Sequence, residues 1–397
     1  MRVHVMNFLS KKYLYSILFS IILLLPWVGF GNVTKPITMK VALLDSFIPQ
    51  QYMINHYYDY YIAGVATAAY AAKQYNITIE YRFFNFGSND LAILSVLPEI
   101  IKWDPTFIIG PRSSNYFLLL NGNLPANILV LSPMATDLDI AKMPENFYSL
   151  TLSDKYEAKA IYTYLNKKFP AQGIFLITEV DCKSCTGVSD LVSELFNKDQ
   201  HARLLQKKIL KNQVENIDIK ELMQGYQDGD IILLPDSHYV SSLLMTKIAD
   251  YLKQDKLIFL GGDAWGTWRD GDIESGDSLY QYSAYHISPW SYNFSTKEFN
   301  AFSTLYLKKY PDLPLDNITY ATYKSVMSVV VAFNKFGNRD KISSVAVLKA
   351  YQTALKYDKN WFRGNEYVVY QDEKSSDKII ASIQNDKVSF IENPVAH

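Results

Sequence analysis

The sequence predicts an α/β protein whose exported part folds as two domains, each around a mainly parallel sheet. Three observations predict this. From Ile37 onward, short apolar runs rich in β-branched residues alternate with longer amphipathic stretches. The runs are bounded by Gly, Pro, Asp or Asn, as buried strands are. Seven such runs with their covering helices exceed the usual size of one core, and 49% hydrophobic against 20% charged residues suffices to fill two.

The chain opens on a segment that does not belong to either domain. Arg2, Lys11 and Lys12 precede an apolar run at 17–25, Pro26 breaks it, and Gly29-Phe30-Gly31 offers a small-x-small cleavage site, so residues 1–31 read as a secretory signal peptide. The alternative is an uncleaved anchor, because 13–31 carries no charge. No Cys stands at the processing site after the apolar run, which excludes a lipoprotein anchor there, and no later stretch is long and apolar enough to span a bilayer. An exported protein is expected. Strands follow at 39–44, 78–83, 107–109, 128–131, 173–178, 231–234 and 257–260. Helices are expected at 63–74, where small residues allow close packing, and at 155–168 with Ser153 as N-cap. A third, at 240–252, aligns Val240, Leu244, Ile248 and Leu252 on one core face.

Charge and cysteines narrow the function. With 39 Lys+Arg against 40 Asp+Glu, the net charge of −1 excludes the basic excess that broad nucleic-acid binding requires. Cys182 and Cys185, spaced as CKSC, close a local disulfide in an oxidising compartment. Zinc would need two more ligands, and none of the six histidines is near in sequence. A thioredoxin-like motif also fits the spacing, but it needs a helix starting at the first Cys, and Asp181 disfavours a low thiolate pKa.

Three segments carry candidate chemistry. In the first, an apolar strand runs into Gly110-Pro111-Arg112-Ser113-Ser114 and then a helix from Tyr116, which places hydroxyls and free N–H groups where a carboxylate is stabilised. The second strand, at 128–131, ends in Ser132-Pro133-Met134-Ala135-Thr136 at the carboxyl edge, where ligands of open α/β sheets sit. Ser113, Ser114 and Thr136 read equally as helix caps when taken one at a time. The third is Gly261-Gly262-Asp263-Ala264-Trp265-Gly266-Thr267-Trp268, in which Asp263 suits an ammonium and Trp265 a pocket wall; a turn cap and core packing are the alternative.

The order of segments resembles the type I periplasmic binding proteins, especially the branched-chain amino acid (Leu/Ile/Val) binding family of ABC transporter substrate-binding proteins. The resemblance rests on VALLDS, IIGPRSS, LSPMAT, FYSLTLSDKYEAKA, LLPDS, FLGGDAW, ITYATYKSVMSVVVAF and Phe362-Arg363-Gly364 in that order. It implies two Rossmann-like lobes joined by a three-crossing hinge, with 36–153 plus 287–360 as lobe 1 and 154–286 plus 361–397 as lobe 2. It also implies that Ser113 and Ser114 hold a ligand's α-carboxylate, that Thr136 with the backbone near Met134 completes the α-group site, and that Asp263 receives the ammonium. Met134 stands where the family has a smaller residue. CKSC with Thr186-Gly187 falls where a Tyr-Gly often supplies an aromatic wall in the family, and Asp236 and Ser237 occupy another position that the family often fills with an aromatic or small residue. These departures point away from leucine, isoleucine and valine. Arg112 either selects a second acidic group or is solvated or paired at the surface. Tyr52, in an aromatic run after the first strand, is a candidate cleft wall, with ordinary packing as the alternative.

The expected function is therefore capture of a small amino acid or related zwitterion for an inner-membrane ABC permease, by a monomeric periplasmic protein without cofactor, metal or nucleic-acid partner. An enzyme is disfavoured: no Gly-x-Ser-x-Gly elbow, HExxH, Walker loop or dinucleotide fingerprint occurs, and His238 near Asp236 is the nearest approach to a general-base pair. The other alternative is a regulatory interaction module with a degenerate cleft. Sequons at Asn32, Asn76, Asn293 and Asn317 read as chance matches in a bacterial periplasm.

Overall fold

The computed structural model describes residues 36–47, 52–87, 91–199, 203–235, 238–253, 257–263, 265, 283–288, 297–313, 315, 317–359, 361, 366–371, 378–384 and 387–392. The signal segment, Asp236, Ser237, Trp268 and Phe362-Arg363-Gly364 lie outside these residues, as do the side chains of Tyr52 and His238.

The first sheet is assembled from β1 (Ile37–Asp45), β2 (Ile77–Asn85), β3 (Phe107–Ile109), β4 (Leu129–Ser132) and β5 (Phe147–Ser149). Its order is β2-β1-β3-β4-β5, and every neighbouring pair is parallel. Because strand side chains alternate, one register serves two cores. Met39, Val41, Leu43, Phe107, Ile109, Leu129 and Leu131 face one core, while Ala42, Leu44, Ile108 and Val130 face the other. Strands buried on both faces read as unbroken apolar runs, which is why β3 was visible in the sequence at its full length.

The second sheet repeats this plan with β6 (Ile174–Glu179), β7 (Leu204–Ile209), β8 (Ile231–Leu234), β9 (Ile258–Gly261) and β10 (Ser283–Ser288), in the parallel order β7-β6-β8-β9-β10. Antiparallel β11 (Glu366–Gln371), β12 (Lys378–Gln384) and β13 (Lys387–Glu392) extend it. Ile174, Leu176, Ile231 and Leu233 face one core, and Phe175, Ile177, Ile232 and Leu234 the other. Val240, Leu244 and Ile248 of the helix His238–Leu252 are fully buried in that second core.

The chain passes between the lobes three times. It leaves the first sheet after β5. After β10 it returns to lay the helices Lys297–Lys309, Asn317–Phe336 and Ser344–Tyr357 on the first sheet, where Phe302, Val329 and Val347 enter its core. It then crosses again to form β11–β13. Each lobe is thus a doubly wound sheet whose strand order reverses beside its first strand, and ligands of such sheets gather at the carboxyl ends there.

Several elements depart from the sequence expectation, among them β5, β10 and β11–β13, for which no strand is expected from the sequence. The helix predicted at 63–74 starts at Tyr52, because Tyr60 and Tyr61 are buried in the core. Its small residues serve helix packing: a Cβ at Gly64 would lie 2.5 Å from the carbonyl oxygen of Thr319. Strand β7 reads LLQKKI and is half-exposed over most of its length, so it presents no apolar run to detect.

Candidate functional site

Beyond β3 the chain turns through Gly110 at φ 97° and a cis bond to Pro111. A Cβ at Gly110 would overlap the Leu44 carbonyl oxygen and the Tyr61 hydroxyl, so only glycine brings this turn against β1. Arg112 then reaches Asp45 at the end of β1, Nε to Oδ2 2.5 Å, with the Asp45 side chain only 3% exposed. The guanidinium also lies 5.3 Å from the Phe47 ring centroid. Of the two readings of Arg112, pairing is the one realised.

Ser113 is the N-cap residue of the helix Ser114–Leu119 and makes no side-chain capping bond; it is exposed. Ser114 is buried, and its Oγ accepts the N–H groups of Thr136 at 3.0 Å and Asp137 at 3.2 Å. Ser132 Oγ donates to Pro111 O at 2.6 Å and accepts the N–H of Ala135 at 3.0 Å. These hydroxyls stitch the turn after β3 to the turn after β4. Met134 lies half-buried against the first core, and Thr136 is buried. The helix has six residues, so the hydroxyls and amides, more than any dipole, define this edge.

The second lobe meets this edge at the first crossing. Asp154 opens the helix Asp154–Lys168 and donates its N–H to Thr136 O at 2.9 Å, while the Thr136 side chain hydrogen-bonds its carboxyl. Asp154 Oδ1 is buried with no hydrogen-bond partner among the described residues. One turn on, Glu157 Oε1 accepts the N–H of Asp263 at 2.8 Å. A Cβ at Gly262 would lie 2.5 Å from that same oxygen, which is why the carboxyl fits under the strand end. Asp137, Asp154, Glu157 and Asp263 therefore converge where the lobes meet.

Burial sets their protonation. It pushes the Asp154 carboxyl up to about 7, against the hydrogen bond from Thr136 and with further repulsion from Asp263 and Asp137. Burial likewise raises Glu157 well above the usual carboxylate range, reinforced by Asp263 and Asp154 and opposed by the Asp263 N–H. An arriving ammonium would reverse this, because an adjacent cation favours the ionised carboxylate.

The other expected residues are placed as follows. Asp263 is half-buried at the end of β9, beside the cluster. Trp265 is 2% exposed and packs in the core beneath β9, wedged against Gly261, so its ring fills the lobe interior. Ser237 and the side chain of Tyr52 lie outside the described residues. Cys182 and Cys185 are joined. Glu179 brings a carboxylate oxygen within 4.8 Å of both sulfurs, but a bonded pair offers no thiolate to a metal.

Sequence reasoning missed Asp137, Asp154 and Glu157. Acids in a first helical turn ordinarily complement the helix dipole in solvent, so LSDKYEA carries no sign that two of its carboxyls are buried. Ser153 is the N-cap residue of this helix as expected, without a side-chain capping bond, and the Asp154 bond to lobe 1 is invisible locally.

No protein-family model and no curated protein matches the sequence. Solved structures do. The branched-chain amino acid transporter substrate-binding protein LivJ from Streptococcus pneumoniae, in complex with isoleucine, aligns with a TM-score of 0.68 at 17% identity over 90% of this chain and 100% of its own. The leucine-binding protein LivK from Thermotoga maritima aligns with a TM-score of 0.69 at 14% identity over 90% and 99%. A solute-binding protein of an ABC transporter from Rhodopseudomonas palustris, in complex with 3,4-dihydroxybenzoic acid, aligns with a TM-score of 0.65 at 12% identity over 90% and 96%. At these identities what is shared is the fold.

Proposed function

We propose that this chain, which has the type I periplasmic binding protein fold, captures a small amino acid or related zwitterion between its lobes and delivers it to an inner-membrane ABC importer. The observation that carries the reading is Asp154: a buried carboxyl with one oxygen that has no hydrogen-bond partner among the described residues, bonded to Thr136 of one lobe and adjacent to Glu157 and Asp263 of the other. The converging carboxyl groups of Asp154, Glu157 and Asp263 favour an ammonium-bearing ligand over a benzoate-type acid. Asp263 and Asp154 receive the ammonium, and Ser113, Ser114 and Thr136 face the carboxylate. Ser114 accepts two N–H groups and keeps its own proton to donate.

The same reading assigns 36–153 plus the chain from after β10 to 360 to one closing lobe and 154–288 plus 361–397 to the other, because β10 runs to Ser288 within the second sheet, past the 286/287 boundary that the resemblance implies. It makes the protein a monomeric periplasmic binder with no catalytic step. Thermal shift and calorimetry against amino acids, small peptides, amines and aromatic carboxylates test it. A true ligand at a hundredfold its Kd stabilises the fold by about 2.7 kcal/mol. Stabilisation by amino acids supports the proposal. A response confined to aromatic acids, or none to any compound in the panel, overturns it.

A further inference from the structure

The CKSC segment lies at the start of the helix Lys183–Asp199, the setting in which a disulfide is chemically active. Cys182 immediately precedes the helix and is half-buried, while Cys185 in the first turn is buried. Cys182 Sγ accepts the N–H of Cys185 at 3.3 Å, and Cys182 O accepts that of Thr186 at 3.0 Å. Cys182 is thus the less buried of the two, and its sulfur already faces a donor. Buried Glu179, at the end of β6, has a carboxylate oxygen within 4.8 Å of both sulfurs.

Lys183 sits between the two cysteines and reaches the other lobe. Its Nζ is 3.0 Å from Asp139 Oδ2 and 3.4 Å from Asp137 Oδ2. Asp137 accepts the N–H of Asp139 at 2.7 Å and gives its own N–H to Ser114. The cation held by the disulfide loop therefore grips the turn that carries Thr136. In the next turn, a Cβ on Gly187 would lie 3.0 Å from Asp154 Oδ2, so this helix end also abuts the buried carboxyl.

We infer that Cys182–Cys185 is a redox-active disulfide whose oxidised form clasps the two lobes through Lys183, and that reduction by a dithiol releases the clasp. In the first step a thiolate of the dithiol attacks Cys182 Sγ, the bond to Cys185 breaks, and Cys185 leaves as a thiolate that takes up a proton. The second thiol of the reductant then attacks its own sulfur in the mixed disulfide and expels Cys182, which is protonated in turn. Two electrons and two protons pass to the protein, and the dithiol becomes a disulfide. The Cys185 N–H facing Cys182 stabilises that departing thiolate.

Dithiothreitol serves as the probe, with acid quench and alkylation to count thiols by mass, and hydrogen exchange to read the amides of Thr136, Asp137 and Asp139. In the folded protein both thiols become alkylatable after reduction, and these three lobe-1 amides exchange roughly two- to fivefold faster, as loss of the Lys183 ion pairs to Asp139 and Asp137 allows. Oxidised Lys183→Gln shows the same acceleration, and reduction adds nothing to it. Asp139→Asn, on the opposite lobe, reproduces the effect if Lys183→Gln does not fold. The inference is overturned if the folded protein resists reduction. It is equally overturned if the three amides are unchanged on reduction, or if β1 amides accelerate alongside them, which marks a disulfide that holds up the whole fold.

Discussion

Glu157 Oε1 accepts the backbone N–H of Asp263 at 2.8 Å, joining the first helix after the crossing to the end of β9. The bond places a buried carboxyl directly under a half-buried one, and it holds the residue assigned to the ammonium in position. Glu157→Ala removes the acceptor and leaves the N–H unpaired, so it should cost about 1–3 kcal/mol in chemical denaturation. Glu157→Gln keeps an acceptor oxygen of the same reach and should hold stability within about 1 kcal/mol of wild type. Equal losses for the two variants would show that the bond is not what the carboxyl provides.

Asp154 makes stability depend on pH in a direction opposite to most surface acids. Its folded value of about 7 lies above its ordinary value of 3.8, so the folded chain binds the proton more tightly than the unfolded one. The stabilising contribution is complete below the ordinary value and is lost as pH rises through about 7. Urea unfolding of the ligand-free protein should therefore show stability falling from pH 5 to pH 8 by an amount on the order of 2–3 kcal/mol. Asp154→Asn should flatten that slope; an unchanged slope would assign it to other groups.

The charge assignment predicts asymmetric losses. Asp263→Ala should weaken binding of an aminated ligand by at least about tenfold, the cost of leaving a desolvated ammonium short of a partner. A matched carboxylic acid without the amine should bind the variant as it binds wild type. Calorimetry with such a pair decides the role, and equal weakening of both ligands would remove Asp263 from the ammonium site.

Arg112 is a structural partner in this arrangement. Its removal strands the Asp45 carboxylate, which among the described residues keeps the Ser46 N–H at 2.8 Å. Arg112→Ala should lower stability by about 2–3 kcal/mol, with Asp45→Asn recovering part of it in the double variant. Full additivity of the two in a double-mutant cycle would argue that the pair is not coupled.

Trp265 separates packing from recognition. Its ring lies in the second-lobe core where a Cβ on Gly261 would collide with it. Trp265→Ala should cost about 3–5 kcal/mol through the cavity it leaves, and Gly261→Ala should destabilise through overpacking. Both variants, measured where they remain folded, should bind ligand with little change in Kd. A large loss of affinity in folded Trp265→Ala would return the ring to the binding site.

The residues by themselves determine the lobes and their strand runs. Phe107–Ile109 and Ile231–Leu234 appear in the fold at their predicted bounds, because a strand covered on both faces must be apolar at every position. Local chemistry also places Ser114, Thr136 and Asp263 at strand ends, where turns require Gly, Pro and hydroxyl residues. Beyond that reach, side chains distant in sequence decide the outcome. Arg112 became a partner of Asp45 because the Gly110 turn closes on β1. Trp265 turned inward because Gly261 leaves room for its ring. Asp154 and Glu157 look like any solvated first-turn acids until β4 and β9 enclose them. Desolvation and cross-lobe bonding are properties of packing, and a carboxyl acquires them only when the chain has folded around it.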